Sequence, residues 1–216
     1  MNKLAGKPIR YCKEDRVRRP RRKAEETRGD ILNTAETLFR ERGIAKCSIA
    51  DVAHALHMSP ANIFKHFHSK ASLADAICDR HISRMIGRFE TLDEPAPAPE
   101  RLAIVVRKLM EAHLQDLRDN PFLFEMIFLM SEADLPSGQH YKRLIENLFT
   151  DLIRQGVESG AYKCTDPQAI SQHVAAAFAS VLHPVLLAKA GEAELHDRCN
   201  GLARLVNAAL QNPLAK

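Results

Sequence analysis

Two helix-start signals stand eleven residues apart, and almost nothing separates the helices they open. Ser48 with Asp51 forms the pattern of a capping box, in which each side chain satisfies the other residue's backbone N–H. Ser59 precedes Pro60, and proline at the first helical position loses nothing because that N–H has no intrahelical partner. Between them Ile49, Val52, Ala53 and Leu56 line one helical face, and only His57-Met58 is left for a turn. Met58 and Ile63 are placed as a hydrophobic staple across the second start, and Ile63 and Phe67 face inward one turn apart. Two short helices joined this tightly, after a longer helix ending at Gly43, have the spacing of a helix-turn-helix. A plain helical hairpin within a bundle has the same local pattern.

The rest of the chain also reads as helix, with no strand-like alternation. The first helix runs from about Ala24 to Arg42, with Ile31, Ala35, Leu38 and Phe39 on one face. Ser69 opens a helix reaching about Leu92, and Pro95, Pro97 and Pro99 then make an extended linker. Further helices are predicted over 100–118, 121–132, 138–160, 167–190, with a kink at Pro184, and 193–211. The expected fold is all-α, with the helix-turn-helix near the N-terminus.

Charge identifies the partner class. Residues 1–23 carry ten Lys/Arg against Glu14 and Asp15, a local charge of +8, whereas the remaining 21 Lys/Arg face 25 Asp/Glu, a charge of −4. Arg18, Arg19, Arg21 and Arg22 form the centre of this basic arm, which lacks apolar periodicity and is expected to be disordered when free. Each cation near a phosphate releases a condensed counterion, so a polyanion is the natural target. A solubilising tail is the alternative. No apolar stretch is long enough for a membrane span, and none of signal-peptide length follows the basic segment, so a cytoplasmic protein is expected. The five cysteines are scattered without a CxxC pair, which fits a reducing compartment.

The second helix of the pair presents Pro60, Ala61, Asn62, Lys65 and His66 outward. Small residues at 60 and 61 permit close approach to a major groove, and Asn62 can pair bidentately with adenine. Lys65 and His66 can reach phosphate or a guanine edge, and the helix starts at Ser48 and Ser59 can offer backbone N–H groups to phosphate.

Thr27–Leu73 resembles the DNA-binding domain of TetR-type bacterial regulators through Ile31-Leu32-Asn33-Thr34-Ala35, Leu38-Phe39, Gly43, Ser48–Ala53, Met58–Phe67, Ser69-Lys70 and Leu73. The resemblance implies a homodimer on a palindromic operator, with a C-terminal domain that binds a small effector. It implies phosphate contacts from Ser48 and Lys70, base-proximal positions for Ser59, Pro60, Ala61 and Asn62, and a DNA face completed by Phe64, Lys65 and His66. Two positions depart from the family pattern. Phe64 stands where a tyrosine hydroxyl often reaches phosphate, and His57 replaces the usual turn glycine and must take a left-handed conformation at some cost.

The expected organisation is an arm over 1–23, a reading unit over 24–70, a connecting helix over 71–92, and an effector-binding and dimerisation domain over 93–216. Ala177, Val181 and Val185 on one C-terminal helix, and Cys199, Leu202 and Val206 on the next, form apolar seams expected to pair two subunits, unless they build only the subunit core. Met110, His113, Leu114, Leu117, Phe124, Phe128, Tyr141, Ile145 and Phe149 are bulky, deformable candidates for an apolar ligand pocket, with His113, Tyr141 and His173 as polar handles. The same residues also suit an ordinary core.

No nucleophile elbow, Walker loop, dinucleotide fingerprint or HExxH is present, so no enzymatic activity, cofactor or metal is expected. The open alternatives are a metal or redox sensor, through Cys78 and His81 or a switch at Cys12 or Cys47, and an effector-independent DNA-organising protein.

Overall fold

The computed structural model describes residues 24–87, 96–130 and 135–212. Among them are ten helices and no strand: α1 (Ala24–Arg42), α2 (Ile49–Ala55), α3 (Pro60–Phe64), α4 (Lys70–Gly87), α5 (Ala98–Asp119), α6 (Pro121–Met130), α7 (Pro136–Glu158), α8 (Pro167–Leu182), α9 (Pro184–Leu187) and α10 (Glu192–Gln211). The arm, with Arg18, Arg19, Arg21, Arg22 and Cys12, lies outside the described residues, as do the side chains of Phe124 and Phe128.

The helix starts follow the local signals. Asp51 accepts the Ser48 backbone N–H at 2.8 Å, and the Ser48 hydroxyl accepts that of Asp51 at 3.2 Å. Ser69 and Ser72 form a serine-only version of the same reciprocal cap, each hydroxyl accepting the other's N–H at 3.0 Å. Gly43 is left-handed at φ 79°, and His57 at φ 53° is the one non-glycine residue of positive φ among the described residues. Ser59 departs from expectation. It occupies the cap position of α3, but its side chain makes no capping bond. Ser137 N, near the start of α7, donates to the Asp75 carboxylate of α4 at 3.1 Å, a cap supplied from a distant part of the chain.

The expected kinked helix over 167–190 is two helices. His183 precedes Pro184 and takes an extended conformation, φ −77° and ψ 123°. The proline ring disfavours the helical region for the residue before it, so α8 stops and α9 starts afresh.

Two cores result. One joins Ile31, Phe39, Val52, Ile63, Leu73 and Ile77 of α1–α4 with Phe122, Leu123 and Met126 of α6. The other lies among α5, α7, α8 and α10, around Leu102, Leu109, Ile153, Leu195 and a stacked pair, Phe149 and Phe178, with ring centroids 5.5 Å apart. Helix α6 follows α5 in sequence yet packs into the N-terminal core, so the two units interlock.

Candidate DNA-reading face and ligand cavity

Helix α3 is held by its buried side: Ile63 is fully buried and Phe67 nearly so. Arg28 of α1 lies over the Phe67 ring at 4.2 Å and donates to the His66 carbonyl at 3.3 Å, fixing the end of α3 to α1. This leaves Ser48, Ser59, Pro60, Ala61, Phe64 and Lys65 exposed, with Asn62 and His66 half-buried. Phe64 is one of few large apolar side chains in solvent among the described residues, at 44% exposure. The Asn62 amide donates to Met58 Sδ at 3.3 Å, a weak bond that a base edge can replace.

Lys70 points elsewhere. Its ammonium donates to the carbonyls of Ile44 at 2.9 Å and Cys47 at 3.1 Å, closing the loop between α1 and α2. The Ile44 carbonyl also accepts the Cys47 N–H at 3.3 Å, so the lysine adds a second donor there and supplies one to the Cys47 carbonyl. In the free protein Lys70 thus has a structural role in this loop, which uses two of the three N–H groups of its ammonium.

Beyond this face, a junction ties α1 to α4. Glu36 of α1 is buried and accepts from Arg40 at 3.0 Å, from His81 Nε2 at 3.0 Å and from Arg80, which also donates to Asn33 at 2.7 Å. Burial alone pushes the Glu36 carboxyl up, but the bonds and charges of His81 and Arg80 together outweigh it, and the acid is held below its usual range. Burial lowers His81 against the pull of Glu36, so its ring favours the neutral form. His81 also meets the Phe122 ring of α6 edge-on at 6.1 Å.

The same His81 forms part of the wall of a cavity of about 580 Å³ lined by residues of α4–α9. Of the predicted ligand residues, the structure brings His113, Leu117, Tyr141 and Ile145 to this cavity. Met110, Leu114 and Phe149 belong to the C-terminal core instead, and His173 is exposed on α8. The wall residues missed include those of α4: Cys78, Ile82 and Met85, with His81. Their spacing of four and three residues was a readable sign of a second apolar face on a helix taken only as a connector.

Inside the cavity, His113 Nδ1 lies 2.6 Å from the Leu109 carbonyl and Nε2 lies 2.9 Å from the Tyr141 hydroxyl. Burial pushes the Tyr141 hydroxyl well above the ordinary phenol value, keeping it protonated. Burial likewise pushes the Cys78 thiol up to about 12, with Asp75 and Asp79 adding to the effect, and raises Cys47, whose thiol donates to the Leu38 carbonyl. A raised thiol is a poor redox nucleophile. Among the described residues, no group of three His, Cys, Asp or Glu is placed to hold a metal ion.

The predicted dimer seam also divides. Val181, Cys199 and Val206 are buried within the single subunit, whereas Ala177 and Leu202 are half-buried against the same core and Val185 is half-buried on α9. An inward apolar stripe and an interface stripe share one helical period, and in this chain the subunit core takes the regular one. The α10 face directed outward carries Leu205, 66% exposed, and Ala208.

Residues 31–77 match the profile of the bacterial regulatory proteins of the tetR family, and residues 98–203 match that of the tetracyclin repressor-like C-terminal domain. The chain belongs to the TetR family. Its members are DNA-binding transcriptional regulators rather than enzymes. Over 83 residues, 36% of this TetR-family chain, it is 40% identical to the probable HTH-type transcriptional regulator ArpR of Pseudomonas putida, a stretch spanning 40% of that relative's length. Over 148 residues it is 24% identical to the HTH-type transcriptional repressor KstR2 of Mycobacterium tuberculosis, covering 63% of this chain and 69% of KstR2. A TetR-family regulator structure from Pectobacterium atrosepticum superposes with a TM-score of 0.64 at 22% identity, covering 92% of this chain and 99% of that one. No helix among the described residues is long and apolar enough to cross a membrane.

Proposed function

We propose that this TetR-family chain is a cytoplasmic, homodimeric repressor that leaves a palindromic operator when an apolar or amphipathic molecule fills the cavity. Residues 24–70 read the DNA, residues 71–92 transmit, and residues 93–216 sense and dimerise. Ser59, Pro60, Ala61 and Asn62 approach the base edges, while Ser48, Phe64, Lys65 and His66 complete the contact surface. The basic arm over 1–23 adds sequence-independent attraction through counterion release. Two subunits meet through the outward faces of α8 and α10, setting the two α3 helices about one DNA turn, roughly 34 Å, apart.

The observation that carries this reading is His81, which lines the cavity and is hydrogen-bonded to Glu36 of α1. A molecule pressing on the α4 wall displaces the residue that anchors the reading unit. A shift of α4 changes the separation of the two α3 helices, and misfit at one half-site costs base contacts of about 1–3 kcal/mol each.

Selection of bound duplexes from a random DNA pool tests the reading. A two-fold symmetric site with half-sites one or two helical turns apart is expected. A site without symmetry, or no enrichment at low salt, overturns it.

A further inference from the structure

The cavity's polar groups show which hydrogen-bonding sense it offers a guest. The Leu109 carbonyl can only accept, so His113 Nδ1 donates to it. Burial keeps the Tyr141 hydroxyl protonated, and it donates to His113 Nε2. That leaves the Tyr141 oxygen with acceptor capacity and no proton to give. At the α4 wall the logic repeats. The Glu36 carboxylate can only accept, so His81 Nε2 carries the proton and directs it out of the cavity toward α1. Burial that favours the neutral His81 ring leaves its Nδ1 as a second lone pair. Both histidines thus commit their N–H protons to protein acceptors.

The other charged groups of the wall point the same way. Glu146 is an acceptor when ionised, and Lys142 is paired with it at 3.9 Å and largely exposed. Ile82, Met85, Leu117, Leu123, Ile127 and Ile145 make the remainder apolar. An anionic guest would meet lone pairs and a carboxylate, and burying its charge unpaired is costly.

We infer that the effector has an apolar body and a hydroxyl group that donates to Tyr141 Oη, a phenol or alcohol rather than a carboxylate. This rests on the reading of the cavity as the effector site.

The test is isothermal titration of the full chain with four probes on one frame: 4-hydroxybiphenyl, 4-methoxybiphenyl, biphenyl-4-carboxylate and biphenyl-4-methylammonium. The phenol is expected to bind roughly five- to tenfold more tightly than its methyl ether, the effect of one hydrogen bond. Tyr141→Phe should bring the phenol to the affinity of the ether and leave the ether unchanged, with thermal melts checking the fold. Ala179→Phe, which fills the cavity, should abolish binding of all four. Equal affinities for phenol and ether in the unaltered chain, an undiminished preference in Tyr141→Phe, or tighter binding of the carboxylate than of the phenol overturns the inference and leaves the effector site standing. No binding by any probe, or full binding by Ala179→Phe, removes the cavity as a ligand site and the inference with it.

Discussion

His81 Nε2 lies 3.0 Å from Glu36 Oε1, so a side chain on the cavity wall is bonded to the first helix of the DNA-reading unit. Both groups titrate below their ordinary values, 6.5 for His81 and 4.5 for Glu36. The unfolded chain therefore takes up each proton at a higher pH than the folded one. Stability is full above pH 6.5 and falls in two stages on acidification, first below 6.5 through His81 and then below 4.5 through Glu36. His81→Gln keeps a polar side chain but cannot titrate. Melting temperatures between pH 8 and pH 5 should decline less in His81→Gln than in the unaltered chain. Equal declines would remove His81 as a source of the pH dependence.

Lys70 separates a structural role from a DNA contact. Lys70→Met removes the lysine bonds to the Ile44 and Cys47 carbonyls and should cost roughly 1–2 kcal/mol in denaturant unfolding. The salt dependence of operator binding should not change. A slope reduced by about one counterion would instead put the lysine on a phosphate.

Asn62→Ala should weaken binding to the selected operator by about 1–3 kcal/mol while leaving binding to unrelated duplex nearly constant. Its side chain bonds to Met58 Sδ in the free protein, a weak bond, so little stability is lost. Parallel losses on both DNAs would take Asn62 out of base reading.

Leu205 and Val181 distinguish the surface of the subunit from its interior. Leu205→Glu places a charge on the outward face of α10 and should convert a dimer to monomer in light scattering without lowering the subunit's helicity. Val181→Ala empties space in a fully buried position and should cost roughly 2 kcal/mol of stability with the oligomeric state intact. A Leu205→Glu protein that stays dimeric would move the interface elsewhere.

Much of the helical order was legible because its signals are local. The Ser48–Asp51 box, the Ser59-Pro60 start, the left-handed Gly43 and His57, and the inward Ile63 and Phe67 each depend on neighbours within about one turn. The cavity was legible in part. His113, Leu117, Tyr141 and Ile145 belong to it, but Met110 and Phe149, with the same residue chemistry, are in the core. Side-chain type does not record which wall of a helix bundle a residue faces.

By itself the sequence determined an all-helical chain, the starts of α2 and α3, and the inner and outer sides of α3, since capping and periodicity act over a few residues. Only the tertiary structure decided that Lys70 turns inward and that Glu36 and His81, 45 residues apart, are bonded. It also decided that Val181 is interior and that α4 lines the cavity. Those outcomes depend on how whole helices pack, and the packing is chosen by the joint burial of many faces rather than by any residue's near neighbours.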